Sequence, residues 1–532
     1  MLHLDQQRTM NRRRFLKRSA AISTVAAIAA TGGCMRELRT LTPIIKTSAG
    51  HLQGEVLGSV HRFLGIPYAD PPFGQLRWKS PVHRTAWKGV LNATEFGAVC
   101  PQTGGIRAGL PDEGEDCLNL NVWTPDLSNT ANLPVMVWLH GGGQVSGSGA
   151  SGLYDGTHFA SDGVVLVTCN RRLGAEGYLY LEEVFGEGVG PGNLGIQDVI
   201  CVLEWVAENI NQFGGNPDNV TLFGESGGGA ATQSVIATPG SEGLVRRAII
   251  QSGGHAAQRV ETASEIAQQT LKHLSIRSGD LNALRQTSWA QFVGAYEMLQ
   301  QLENVGQPQV YLPVLNHHMP IHPVDAPFKG KGLDVDYLIG TCRDEANFFS
   351  MLLPEMEGSV FHQRATKVIE SAGLSWQQVN ELYARGRPRS EPDEVFNAIL
   401  GDMWFRIPAI RIAEGHARHA SASTYMYLFE WESPLIGAAH AMDLMVFGNG
   451  LPIPGMTALP GYEETAKLMR RAWVSFATSG KPSTSELEWA SYGVQRSTMS
   501  LKEQPKLLVD PYGGEIGLFE KVIQQTWDTL GL

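Results

Sequence analysis

The chain has 532 residues, of which 43% are hydrophobic and 18% charged, with a formal net charge of −11. This is the composition of a globular chain with a sizeable core, and it excludes disorder as the default. No Lys/Arg-rich block follows residue 40, which argues against a nucleic-acid or anionic-membrane partner and for a neutral or cationic small molecule.

The N-terminus differs from the rest. Asn11-Arg12-Arg13-Arg14-Phe15-Leu16-Lys17 leads into a run of Ala, Ile, Val, Ser and Thr from Ser19 to Thr31, the pattern of a twin-arginine export signal. The run is shorter than the about 20 residues a spanning helix needs. Residues 1–34 are therefore read as a signal and 35–532 as one domain. Two readings of the signal's end stand side by side. Ala27-Ile28-Ala29 suits removal and a soluble periplasmic product, whereas Thr31-Gly32-Gly33-Cys34 resembles a lipoprotein box and would leave acyl groups on Cys34. The lipidated form is preferred.

Five further cysteines follow, at 100, 117, 169, 201 and 342. Cys100 and Cys117 enclose a short polar loop and are the natural disulfide pair, worth about 3 kcal/mol in the chain-entropy model. Cys169 and Cys201 read as buried apolar fillers.

Val135 to Leu139 and Val164 to Val167 are continuous apolar runs, as buried parallel strands require. Ile196, Val199, Ile200, Leu203, Val206 and Ile210 recur at helical spacing. Val220-Thr221-Leu222-Phe223 then enters Gly224-Glu225-Ser226-Gly227-Gly228, and a small-residue stretch follows. A strand that turns sharply into a helix around a serine makes that serine a nucleophile, with glycine two residues to either side because a side chain there would strike the neighbouring backbone. Further strands are predicted at Ala248 to Ile250, Tyr337 to Ile339 and Tyr425 to Phe429, and helical insertions over 264–304 and 359–414. Alternating strands and helices mean a parallel sheet, whose ligands bind at its carboxyl edge. His140-Gly141-Gly142-Gly143 directly follows a strand, where the N–H groups of Gly142 and Gly143, with that of Gly227, can form an oxyanion hole. His317, His318 and His322 are interrupted by Pro320, so they share no helical face. No metal or cofactor is assigned.

In order along the chain, Gly65-Ile66-Pro67-Tyr68-Ala69, Glu115 to Val122, the His140 glycines, Asn170-Arg171-Arg172-Leu173-Gly174, Phe213 to Pro217 and the Ser226 turn resemble the type-B carboxylesterase family, over nearly all of residues 45 to 510. The resemblance implies an α/β-hydrolase fold and a serine carboxylesterase with a Ser-His-Glu triad. It makes Glu345, in Gly340-Thr341-Cys342-Arg343-Asp344-Glu345-Ala346, the acid, with Asp344 as local rival. The chain order of that fold puts the histidine downstream, leaving His362, His416, His419 and His440. His416 and His419 are expected on a solvated helical face, and His440, in Gly437-Ala438-Ala439-His440-Ala441-Met442-Asp443-Leu444, matches the family motif except that Asp443 stands where Glu is usual. Gly227 replaces the family's usual alanine, so Gly227→Ala is expected to stabilise the turn without loss of turnover. Glu176 stands where an aromatic residue is expected. The Cys100–Cys117 loop has no aromatic side chain to hold a quaternary ammonium, which argues against a choline ester. A lipase or amidase on the same triad, or a non-catalytic binding protein of the same fold, are the alternatives.

Overall fold

Eleven strands form the main sheet of the computed structural model, which describes residues 40–518 apart from 106, 108, 254–256, 302–309, 353–359, 372 and 389. The export signal and Cys34 lie outside the described residues. From Leu41 onward the chain is one unit.

The strands are β1 (Glu55–Leu57), β2 (Val60–Pro67), β3 (Asn119–Thr124), β4 (Leu133–Leu139), β5 (Val165–Cys169), β6 (Gly215–Glu225), β7 (Arg247–Gln251), β8 (Asp336–Cys342), β9 (Thr424–Phe429), β10 (Ser497–Leu501) and β11 (Lys506–Val509). Their order across the sheet is β11-β10-β9-β8-β7-β6-β4-β5-β3-β2-β1. From β5 to β10 every neighbouring pair is parallel. The flanking pairs are antiparallel. Each predicted strand is present.

The apolar runs are continuous because both faces are covered. Val135, Val137 and Leu139 join Leu222, Ala248 and Ile250 in one core, while Met136 and Trp138, on the alternate positions, join Phe223, Ile249 and Leu338 in another. On the first face lie helix α1 (Leu194–Asn209), through Ile196, Val199, Val202 and Val206, and helix α2 (Gly227–Ala237), through Ala231 and Val235. Helix α4 (Tyr462–Ser479) covers the other face with Met469, Trp473 and Phe476.

The two predicted insertions are helical, the first as Val260–His273, Leu281–Gln286 and Trp289–Gln301. In the second, Pro392–Gly401 runs through a π-helical turn, Asp402–Arg406, into helix α3 (Ile407–His419) without leaving helical backbone. One expectation fails here. His416 is fully buried rather than solvated, its Nδ1 lying 2.7 Å from Thr424 Oγ1, because α3 turns that residue toward β8 and β9. His419 is exposed as expected.

Candidate active site

Four strand ends supply the site: Leu139 of β4, Glu225 of β6, Cys342 of β8 and Phe429 of β9. Between β6 and α2, Ser226 has φ 55° and ψ −123°, a conformation L-residues avoid and functional turns retain. The turn is pinned from both sides: Ser226 N–H donates to the Gln251 carbonyl and the Ser226 carbonyl accepts from Ala230 N–H, each at 2.9 Å. The flanking glycines are sterically required. A Cβ on Gly224 would lie 2.5 Å from the Gly228 carbonyl carbon, and one on Gly228 would strike the Leu139 carbonyl. Only the serine at the crest of this turn is half-exposed; its neighbours on both sides are buried.

The His140 loop lies against the start of α2. Gly142 has φ 108° and Gly143 φ 60°, and among the described residues no backbone carbonyl accepts from either N–H. Gly227 is the first residue of α2, so its N–H has no partner within the helix. Gly143 and Gly227, two of the three predicted donors, lie against each other where α2 begins, directly after Ser226. The expectation for Gly227→Ala is overturned. An added Cβ would sit 2.9 Å from the Gly143 amide nitrogen and 3.2 Å from that of Gln144, so alanine forces apart the backbone segments that carry the donors. Gly227→Ala is now expected to lower kcat, by about tenfold or more if one donor is displaced; a variant with unchanged kcat would show that the loop absorbs the methyl group.

His440 and Glu345 come together from β9 and β8. His440 Nδ1 is 2.6 Å from Glu345 Oε2, and the other carboxylate oxygen of Glu345 accepts from Ser252 Oγ at 2.6 Å and from Cys342 N–H at 2.7 Å. Both residues are buried. The second imidazole nitrogen, Nε2, faces Glu225 Oε1 at 3.1 Å. This is an ionic contact rather than a hydrogen bond, and Glu225 Oε1 has no hydrogen-bond partner among the described residues. No described residue is hydrogen-bonded to the Ser226 hydroxyl, so the His–Glu half of the predicted relay is formed and the Ser–His half is not. The predicted transfer from Ser226 to His440 would require the imidazole to turn from Glu225 to the adjoining residue, a rearrangement of the kind that substrate binding completes.

Asp443 completes a buried group of three carboxylates and accepts from Tyr427 Oη at 2.7 Å. Burial raises the Glu225 carboxyl against the pull of His440, with Asp443 and Glu345 adding to the rise. Asp443 is raised to about 6, again mainly by burial. Burial would lower the His440 imidazole, but Glu225 and Glu345 outweigh it and push it up to about 9. A general base works only when neutral, so with His440 in the predicted role kcat/KM is expected to rise with pH toward the alkaline side. Removing one of the charges that hold the proton on His440 weakens that hold: Glu225→Gln should move the acidic limb of kcat/KM down by about one pH unit. An unmoved limb would show that Glu225 does not act on the imidazole.

Other predicted residues fall into place locally. Asp344 pairs with Arg343 at 2.7 Å and accepts from Ala438 N–H, which makes it a loop tie. Cys100 and Cys117 face each other with sulfurs 2.8 Å apart, as two buried thiols rather than a bond. Cys169, Cys201 and Cys342 are buried. His322 caps the helical turn Pro323–Lys329 by accepting from Val324 N–H. Glu176 is explained by a residue 99 positions earlier: it forms a buried ion pair with Arg77, whose guanidinium lies 4.1 Å over the Trp78 ring. Among the described residues one group, His83, Cys201 and Glu204, brings three metal-ligand atoms within 4.8 Å. It shares no residue with the Ser226 site. The parts missed in sequence were Glu225, Ser252, Asp443 and the aromatic side chains around His440. Glu225 was in view as the neighbour of the nucleophile, but nothing local shows where its carboxylate points.

Those aromatic side chains come from two elements. Phe349, on Ala346–Leu352, lies 5.2 Å from the His440 ring, and Phe405, on the π-helical turn, 4.6 Å from it. Phe349 stacks on Phe405 at 6.0 Å and meets Trp404 edge-on at 5.6 Å.

A serine elbow, an amide-lined loop and a carboxylate-held histidine at the carboxyl edge of this sheet define an α/β-hydrolase. The carboxylesterase family model matches residues 41–514, and the chain belongs to that family; it is a serine carboxylic ester hydrolase. It is 35% identical over 483 residues to the para-nitrobenzyl esterase of Bacillus subtilis (strain 168), covering 88% of this chain and 96% of that one. With the phenmedipham hydrolase of Pseudarthrobacter oxydans it shares 31% identity over 474 residues, covering 85% and 93% of the two chains. A solved carboxylesterase of Geobacillus stearothermophilus superposes with a TM-score of 0.80 at 33% identity, covering 90% of this chain and all of that one (100%).

Proposed function

We propose that this esterase works through Ser226 as nucleophile, His440 as general base and acid, and Glu345 as the carboxylate that orients the imidazole, with the N–H groups of Gly142, Gly143 and Gly227 as oxyanion donors. The observation that carries the reading is the 2.6 Å contact of His440 Nδ1 with Glu345 directly beside the strained Ser226 turn. His440 takes the hydroxyl proton as the serine oxygen adds to the ester carbonyl; the carbonyl oxygen becomes the oxyanion. The alcohol departs with the proton returned by His440, and water repeats the sequence on the acyl-enzyme. Glu225 and Glu345 stabilise the imidazolium formed at each addition.

The substrate is read as a small neutral or cationic ester bearing a flat apolar group. Phe349 and Phe405 supply aromatic faces beside the base, with Trp404 packed edge-on against Phe349, and relatives are named for a nitrobenzyl ester and for phenmedipham. A panel of p-nitrophenyl acyl esters of increasing length, p-nitrobenzyl acetate, an acylcholine, an anilide and a triglyceride tests both points. Ester turnover highest on the benzyl compound is the expected result; faster cleavage of the triglyceride or the anilide would replace this reading by a lipase or amidase. A fluorophosphonate probe should label wild-type protein at Ser226, and unlabelled folded protein would indicate a binding protein instead.

Two further readings concern maturation. Arg12 and Arg13 would direct export, with Cys34 as lipid anchor of a periplasmic protein, and Cys100 and Cys117 would close a disulfide once in an oxidising compartment. Loss of export in an Arg12→Lys/Arg13→Lys chain, a mass shift of acyl groups on Cys34, and a mass loss of two hydrogens on oxidation are the respective checks.

A further inference from the structure

Arg171 stands just past the end of β5 and is completely buried, yet it has no carboxylate partner among the described residues. Its neighbour Arg172 shows the contrast, paired with Asp198 at 2.6 Å. A buried guanidinium is expensive to keep without a counter-ion, so its contacts call for an account. Nη2 donates to the His140 carbonyl and to Gln144 Oε1, both at 3.1 Å, whereas Nε and Nη1 find no hydrogen-bond partner among the described residues.

Gln144 continues the chain of contacts. It directly follows Gly143, is buried, and has φ 63°, a left-handed conformation uncommon for glutamine. Its side-chain oxygen takes a second bond from Tyr178 Oη at 2.9 Å, which fixes the amide's orientation, and its Nε2 donates to the Gly227 carbonyl at 2.7 Å. Its own carbonyl accepts from Gly174 N–H at 2.8 Å. One end of this relay therefore holds the His140–Gly143 loop and the other holds the first residue of α2. Those are the two backbone segments that carry the proposed oxyanion donors, and they touch nowhere in sequence.

We propose that Arg171 and Gln144 are positioning residues for the oxyanion hole: Arg171 anchors the His140 loop and orients Gln144, and Gln144 ties that loop to Gly227, so that donors from two distant segments keep a working spacing before substrate arrives. The inference rests on the assignment of Gly142, Gly143 and Gly227 as donors and of Ser226 as nucleophile. Preorganised donors act on the transition state more than on the ester, so their loss falls on kcat.

The test uses Gln144→Glu, Arg171→Met and Arg171→Lys, with Ser226→Ala alongside. Gln144→Glu keeps an oxygen for Arg171 and Tyr178 and gives that guanidinium a counter-charge, while the oxygen that replaces Nε2 cannot donate to the Gly227 carbonyl and repels it, so the tie between the two segments is broken. Turnover of p-nitrophenyl butyrate should fall on the order of 10–100-fold in Gln144→Glu and Arg171→Met, with KM changed by less than about threefold. Arg171→Lys should recover part of the loss, as it keeps the charge but not the fork. Trifluoroacetophenone supplies a readout that a packing role would not move: the Ser226 oxygen adds to its carbonyl carbon, the proton passes to His440, and the carbonyl oxygen occupies the hole. Its inhibition constant should weaken by the same factor as kcat/KM across the variants. Folded Gln144→Glu with kcat within about threefold of wild type, or a loss of kcat that the ketone does not follow, overturns the relay. If Arg171→Met does not fold, Gln144→Glu decides by itself. Turnover persisting in Ser226→Ala would instead sink the site assignment, whereas an inactive Ser226→Ala beside a fully active Gln144→Glu sinks only the relay.

Discussion

Ser226→Ala is expected to lower kcat on p-nitrophenyl esters by on the order of 10⁴-fold or more while leaving the fold intact. The serine hydroxyl has no hydrogen-bond partner among the described residues, and the strained turn is held by backbone bonds to Gln251 and Ala230 that alanine retains. On the proposed mechanism, what remains without the serine oxygen is the oxyanion donors and a histidine that can at most activate water, and such remnants supply only a few powers of ten over the uncatalysed reaction. Folded variant protein, verified by an unchanged melting temperature and freed of wild-type traces by fluorophosphonate titration, should therefore show less than about a hundredth of wild-type turnover. A larger residue would mean that another group attacks the ester.

The second large effect concerns stability. Arg172 and Asp198 form a buried pair with three side-chain contacts, Nε to Oδ1 at 3.2 Å and to Oδ2 at 2.9 Å and Nη2 to Oδ1 at 2.6 Å. Asp198 also takes the Arg172 N–H at 2.9 Å, and Arg172 Nη1 donates to the Lys79 carbonyl at 2.7 Å. The pair thus joins the loop after β5, helix α1 and the segment near Trp78. Burial works against the Arg172 charge, but Asp198 outweighs it and raises the pKa. Asp198→Ala strands that charge in the core and is expected to cost about 3–5 kcal/mol in urea unfolding. The double replacement Arg172→Met/Asp198→Leu should recover most of the loss, since neither charge is left alone. A single variant within about 1 kcal/mol of wild type would show that water reaches the site.

Much of the molecule was legible because the relevant signals are local. Apolar runs such as Val135 to Leu139 announce strands covered on both faces, and Gly224 and Gly228 announce a turn in which the carbonyl of Leu139 and the backbone itself leave no room for a Cβ. Glu345 and His440 were found through the resemblance of their motifs rather than by any signal between them, and they lie 95 residues apart.

What the amino-acid order determined by itself was periodicity and turn chemistry: strand and helix identity, the serine elbow, and glycine amides after a strand. Only the tertiary structure decided which side chains face one another across the sheet's carboxyl edge. It turned Glu225 toward His440 rather than solvent, gave Glu176 its partner Arg77, buried His416, brought Gly143 so near Gly227 that a methyl group no longer fits, and linked Arg171 through Gln144 to the elbow. The reason is physical: periodicity records that a face is buried, but the partner on the other side is set by the order of strands across the sheet, and neighbours there come from residues scores of positions apart.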